Sequence, residues 1–203
     1  MITSNQALKQ LNELKRYGSN LRLAAESWDE PWKSLVSTML SARTRDEVTI
    51  KVCDILFEKF PTIDGLSKAK LEEIEKIIRP VNYYRTKSKN IIECAKAIVK
   101  EHNSKPPLDF EKLLELSGVG RKTANVFLSE MGKDTIGVDT HVFQLTRKLG
   151  WTKQKKPEKI EADIKKLFPR NLWKDVNPIL VRFGRTYRGK KQDGILKIVN
   201  SIK

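Results

Sequence analysis

Apolar residues in this chain recur at three- and four-residue spacing almost from end to end, and no run of period-two alternation interrupts them. That rhythm confines the fold to helices. The first stripe is Ala7, Leu8, Leu11, Leu14 and Tyr17, with Ser4 placed to cap its helix and Gly18 to end it. Trp32, Leu35, Val36, Met39 and Leu40 follow Pro31, which a first helical turn tolerates. Val48, Val52, Ile55, Leu56 and Phe60 make a third stripe, stopped by Pro61. Ser67 reads as the cap of a short helix bearing Leu71, Ile74, Ile77 and Ile78, which ends before Pro80. Residues 81–87 read as a loop, and 88–101 as a helix that buries Ile91, Ile92, Ala95, Ile98 and Val99. Further helices are expected over 140–149, 157–168, 171–182 and 194–202, so the expected fold class is all-α.

Lys and Arg number 40 against 25 Asp and Glu, a net charge of +15 that points to a polyanionic partner, nucleic acid first. A lysine-rich solvated surface would give the same sum. No window approaches the roughly 18 consecutive apolar residues of a membrane span, and residues 1–28 are too polar and acidic for a targeting peptide. An intracellular, cytoplasmic and nucleoid-associated protein is expected, without a membrane partner and as a monomer. The only cysteines, Cys53 and Cys94, lie in helical apolar patterns without CxxC spacing, which argues against a zinc site or a disulfide. With His102 and His141 the only histidines, a His-rich metal site or triad is not expected either, so no metal ligand is assigned.

The chemistry concentrates in residues 109–141. Leu116-Ser117-Gly118-Val119-Gly120-Arg121-Lys122 reads as a hairpin between two helices, and Asp139 lies downstream of it. Glycines at 118 and 120 let backbone N–H groups approach a phosphate while the following helix presents its positive end. An ordinary helix–helix turn with a C-cap glycine has the same local sequence. Lys122 opens a helix beside Arg121, an environment that disfavours its charged form, and an amine so placed is a nucleophile near neutral pH. Solvated lysines are the common alternative. Asp139, just before Thr140-His141-Val142, also reads as a plain N-cap.

These residues, Leu116 to Val126 followed by Val138-Asp139-Thr140-His141, resemble the helix-hairpin-helix DNA glycosylases, specifically the endonuclease III group. The likeness extends through Leu40-Ser41-Ala42-Arg43-Thr44-Arg45-Asp46 and Lys87-Ser88-Lys89-Asn90-Ile91 to cover about 28–185. It implies two helical lobes with a DNA-binding cleft between them: a central domain over 28–132, with its helix-hairpin-helix at about 109–132, and a second domain from 1–27 plus 133–203. It also implies a bifunctional glycosylase and lyase acting on damaged, oxidised pyrimidines in double-stranded DNA, and on abasic sites.

By the same resemblance Lys122 attacks the sugar C1′ of a flipped nucleotide and forms a Schiff base, while Asp139 activates that attack or stabilises the oxocarbenium charge. The DNA backbone would lie on Gly118, Val119, Gly120, Arg121, Lys122 and Thr123. Ser41, Arg43, Tyr83, Tyr84 and His141 are the expected lesion-pocket or wedge residues. Arg43 stands where many members carry a Gln that fills the gap left by the base, and phosphate binding is its plainer role. Tyr83 or Tyr84 would supply the wedge, unless both are packing residues. A monovalent cation on the carbonyls around Leu116 and Val119 is implied by the family alone.

Two departures stand out. Many members carry four cysteines after the Gly-Arg pair, which hold an iron–sulfur cluster; here Phe183 to Arg188 continues without any, so the cluster is expected to be absent and the last helix to brace that lobe. Ser117 also replaces the usual hairpin Pro. Two other readings fit the sequence: a glycosylase for mismatched or oxidised purines, and a non-catalytic DNA-binding protein that uses the hairpin only for grip.

Overall fold

The computed structural model describes residues 2–202, which contain helices and connections and no strand. Twelve α-helices and one 3-10 turn occur among them: α1 Ser4–Tyr17, α2 Pro31–Ser41, α3 Asp46–Lys59, α4 Ile63–Ser67, α5 Leu71–Ile78, α6 Tyr84–Glu101, α7 Phe110–Glu115, α8 Arg121–Glu130, α9 Thr140–Lys148, α10 Pro157–Leu167, the 3-10 turn Arg170–Leu172, α11 Trp173–Thr186 and α12 Gly189–Asn200. No helix among the described residues is long and apolar enough to cross a membrane. The chain divides into two compact units, one of Arg22–Met131 and one of the residues up to Leu21 together with those from Gly132 onward.

The central unit, α2 to α8, is built on Leu35, Leu40, Leu56, Ile74, Ile91, Ile98 and Phe127, all fully buried. Its aromatic edge is Phe57, which meets Trp28 and Trp32 in T-shaped contacts at 4.9 and 5.2 Å. The chain before Trp28 is bonded into this unit. The Ala24 carbonyl accepts from Trp28 Nε1 (2.6 Å), and the Ala25 carbonyl accepts from Ser34 Oγ (2.8 Å). In the other unit α1 seats Ala7, Leu11 and Leu14 in a core with Leu145, Ile160, Ile164, Val176, Leu180 and Phe183. Its buried polar groups are paired: Trp151 Nε1 donates to Gln10 Oε1 (2.6 Å) and Asn177 Nδ2 to the Gly137 carbonyl (2.7 Å).

Helix starts differ from the sequence reading where caps compete. Thr3, not Ser4, caps α1, its Oγ1 accepting from Gln6 N (3.2 Å). Ser67 ends the single-turn helix α4, which Thr62 caps, instead of starting α5; Lys70 precedes α5, and Glu73 reaches back to the Lys70 N–H. Most consequentially, α6 begins at Tyr84, so Thr86 and Lys87 are helical where a loop was expected. Helix α11 runs on to Thr186, and α12 starts at Gly189 rather than 194. Ile55 faces outward, 55% exposed, although its spacing put it on a buried stripe.

Between α7 and α8 the hairpin closes tightly: Asp109 caps α7 through Lys112 N (3.0 Å), and Val119 N donates to the Leu116 carbonyl (3.1 Å). Gly118 has φ of +76°, and a Cβ there would stand 2.7 Å from the Cβ of Asn90 on α6. Backbone conformation and α6 therefore both demand glycine at 118. Around Gly120, the N-cap of α8, a Cβ would meet nothing within 4 Å, so that face of the turn is open. Gly118→Ala should lower unfolding stability by about 1–2 kcal/mol from the left-handed backbone alone, and by more through displacement of Asn90. Gly120→Ala should cost less. Urea denaturation checks this ordering, and equal losses for the two variants would contradict it.

Candidate active site

Lys122 sits in the first turn of α8, two residues past its N-cap Gly120, and is partly exposed. The flanking residues of the expected backbone-binding set divide into two kinds. Val119 and Thr123 bury their side chains in the central core, so only their backbone can face a ligand. Gly118, Gly120 and Arg121 are exposed, and the Arg121 guanidinium lies 5.0 Å from the Phe110 ring centroid, a cation–π contact across the hairpin. The turn thus offers open amides and cations on one side and a hydrophobic anchor on the other.

Helix α6 supports this turn from beneath. Ser117 Oγ donates to Asn90 Oδ1 (3.3 Å), next to the Gly118 approach. One turn earlier on α6, Lys87 Nζ donates to the Leu40 and Ala42 carbonyls at 2.7 and 2.6 Å, the open C-terminal end of α2. Burial pushes the Lys87 amine down to about 8, and the nearby Lys122 ammonium pushes in the same direction. Lys87 and Asn90 belong to one sequence motif, Lys87-Ser88-Lys89-Asn90-Ile91. The signal was there: they lie three residues apart, hence on one helical face.

The segment after α2 is the second element of the site. Ser41 Oγ donates to the Thr38 carbonyl (2.9 Å), closing the helix, while Arg43 stands exposed with φ of 58°. Tyr83, the N-cap of α6, has φ of 60° and is 61% exposed. Non-glycine residues in the left-handed region cost on the order of 1–2 kcal/mol each, and such outliers gather where a chain must aim a side chain. Here they aim at each other: Arg43 Nη1 donates to Tyr83 Oη (3.0 Å). Asn82 locks the pair, donating through Nδ2 to the Arg43 carbonyl and through its backbone N–H to Thr44 Oγ1 (3.2 Å). Tyr84, by contrast, is partly buried against the central core, with Arg85 over its ring at 5.5 Å. The two tyrosines that sequence could not separate are thus one exposed and one packed.

The remaining expected residues lie in the other unit. Asp139 is the N-cap of α9, its Oδ1 accepting from Val142 N (2.8 Å). His141 follows in the first turn. Burial holds its imidazole below the ordinary range; Asp139 opposes this, and Arg185 and Arg188 reinforce it. Gly184 on α11 is what lets His141 sit there, since a Cβ at 184 would collide with His141 Nδ1.

Residues 36–170 match the HhH-GPD superfamily of base excision DNA repair proteins. Endonuclease III of Thermotoga maritima is 43% identical over 157 residues, 77% of this chain and 74% of that protein. Endonuclease III of Bacillus subtilis is 34% identical over 80% of this chain and 74% of its own. Among solved structures, a trapped covalent endonuclease III–DNA intermediate in an estranged-adenine complex superposes with a TM-score of 0.86 at 31% identity, covering 94% of this chain and 90% of that one. A thermostable thymine-DNA glycosylase, 18% identical with a TM-score of 0.80, shares the fold. The chain belongs to the HhH-GPD superfamily of base excision DNA repair proteins, within its endonuclease III group.

Proposed function

We propose that this enzyme excises oxidised pyrimidines from double-stranded DNA and then cuts the strand, with Lys122 as its nucleophile. Its class is that of the family, a DNA N-glycosylase with lyase activity at abasic sites, and DNA is its partner. The observation that carries the mechanistic reading is a lysine in the first turn of α8, directly behind an open glycine turn, in an endonuclease III-type chain. Amides of the turn and Arg121 hold phosphates. The target nucleotide leaves the stack, since C1′ is out of reach within the duplex.

Lys122 Nζ then forms a bond to C1′ as the N-glycosidic bond breaks, and the base departs with the electron pair. The resulting amine loses a proton and the sugar ring opens to an imine. That imine acidifies C2′–H; loss of this proton expels the 3′ phosphate by β-elimination, and water hydrolyses the imine to return the lysine. Asp139 stabilises the positive charge that grows on the sugar as the base leaves. Its N-cap bond to Val142 N holds the carboxylate in one direction. Tyr83, braced by Arg43, is the side chain we assign to the gap in the stack.

An iron–sulfur cluster does not fit the residues present. It requires four cysteine thiolates, and this chain has two cysteines. Both are fully buried in the central unit, where burial pushes the Cys94 thiol up to about 12 and Cys53 higher still. We propose that the enzyme works without a cluster, on intracellular DNA.

Borohydride should trap a covalent complex with duplexes carrying thymine glycol, dihydrouracil or an abasic site, and Lys122→Ala should abolish it; undiminished trapping would remove Lys122 from the role, and release of purines alone would remove the pyrimidine assignment. Asp139→Asn keeps an N-cap of equal quality, so melting should hold while base release falls about 10²–10³-fold. Tyr83→Ala should slow excision from duplex DNA about tenfold and act more weakly on a single-stranded lesion oligonucleotide, where no unstacking is needed. Equal losses on both substrates would place Tyr83 elsewhere in the reaction.

A further inference from the structure

Arg43 occupies a backbone position that its residue type does not favour, and a side chain from another helix holds it there. The Thr44 N–H donates to the Ser41 carbonyl (3.0 Å), so Ser41 to Thr44 form a β-turn at the end of α2. Ala42 has φ of −57° and ψ of 116°, and Arg43 has φ of 58°. Those angles belong to a type II turn, whose third residue is ordinarily glycine or asparagine. For an arginine the ordinary choice is a type I turn, in which that residue returns to negative φ.

The two turn types differ by a flip of one peptide group, here the one between Ala42 and Arg43. Its carbonyl is the acceptor that Lys87 Nζ holds at 2.6 Å. The same ammonium donates to the Leu40 carbonyl (2.7 Å), and the Lys87 backbone N–H donates to the Tyr83 carbonyl (3.0 Å). Lys87 is therefore fixed to the last turn of α2 and to the first turn of α6 together. The peptide group after Arg43 is held as well, its carbonyl accepting from Asn82 Nδ2. With both flanking peptides held, the Arg43 backbone is set, and its guanidinium meets Tyr83 Oη (3.0 Å). The bonds close a ring that runs from Tyr83 to Lys87, on to Ala42, and through Arg43 back to Tyr83.

We propose that Lys87 is a positioning residue for the extrusion of the target nucleotide: its bond to the Ala42 carbonyl selects the type II turn, and that turn braces Tyr83 through Arg43 before DNA arrives. The inference rests on Tyr83 filling the gap in the stack. Asn82 cannot take over this part, because it holds the peptide after Arg43 and not the one that flips. Without the Lys87 bond the Ala42–Arg43 peptide turns over, Arg43 relaxes to negative φ, and the brace on Tyr83 is lost. An exposed ring without a brace must be ordered as it enters the duplex, and that cost falls on the unstacking step alone.

The test is single-turnover release of thymine glycol from a duplex and from the single-stranded oligonucleotide, in wild type, Lys87→Met, Tyr83→Ala and the double variant. Lys87→Met should slow release from the duplex about three- to tenfold and change the single-strand rate by less than about twofold. In the Tyr83→Ala background the same substitution should cause no further loss, because the group it positions is gone. Equal losses on both substrates, or losses that add to those of Tyr83→Ala, would reduce Lys87 to a structural tie and overturn the proposal. Equal losses in Tyr83→Ala itself would instead remove Tyr83 from the gap, and the proposal with it; that result is read without any Lys87 variant, so the two failures are distinct.

NMR of the free protein reads the turn directly. A strong NOE between Ala42 Hα and the Arg43 amide proton marks type II in the wild type, and in Lys87→Met it should give way to one between the two amide protons. Persistence of the type II pattern would overturn the proposal. Tyr83→Phe covers the case in which Lys87→Met does not fold, since it keeps the exposed ring and removes only the oxygen that Arg43 holds. It should slow release from the duplex about two- to fivefold and spare the single strand. A duplex rate equal to that of wild type would show that the brace is immaterial, with the same consequence.

Discussion

The site depends on one close approach, that of the Gly118 backbone to Asn90. A left-handed residue at 118 reverses the chain between α7 and α8, and the absence of a side chain lets the turn settle on α6. Ser117 adds a hydrogen bond to the same asparagine. Once the turn is seated, the direction of α8 is fixed, and Lys122 falls in its first turn. Gly120 contributes differently. Nothing occupies the space its Cβ would fill, so it leaves the outer side of the turn clear while Gly118 keeps the protein side close.

The same helix serves the other half of the central unit's site. Tyr83 at the start of α6 adopts a left-handed backbone, as does Arg43 after α2. Each conformation is unfavourable alone, at about 1–2 kcal/mol. The contacts that hold them are mutual: Arg43 to Tyr83, Asn82 to the Arg43 carbonyl and to Thr44, and Lys87 to the carbonyls just before Arg43. Lys87 thereby ties the Arg43 segment to the helix that carries the hairpin. A single side chain thus connects the Arg43–Tyr83 pair with the helix on which the hairpin is seated.

Periodicity made the helices readable because each apolar stripe is long enough to repeat. It failed where a single turn or a single residue decides. The α4 helix, capped by Thr62, is five residues with no stripe to detect, so the Ser67 that ends it reads from sequence as the cap of the next helix. The start of α6 was hidden by Tyr83, whose left-handed backbone no side-chain pattern announces. Ile55 fits a helical stripe by spacing yet faces outward, since spacing names a face but not what covers it. Lys122 and Asp139 drew distinct roles from family resemblance, not from their local surroundings. Asp139 shows why: its carboxylate is an N-cap, the bland reading, and capping fixes its direction without consuming its charge.

The C-terminal end of the second unit is secured by α12, which is held on three sides. Leu196 and Val199, three residues apart, enter the core that α1 and α9 share. Towards α9, Lys148 reaches Asp193 (2.8 Å) and Gln192 (3.1 Å), and Asn200 Nδ2 donates to the Lys148 carbonyl (3.1 Å). Towards α1, Gln6 Nε2 donates to the Ile202 carbonyl (2.8 Å). The exposed ion pair contributes little by itself. The apolar pair holds the helix down, and the side chain-to-carbonyl bonds set its register. The turn before it is held by Tyr187, whose ring meets Tyr17 at 6.2 Å and Phe183 at 5.5 Å. Aromatic packing and a seated helix thus hold the C-terminal end of this unit.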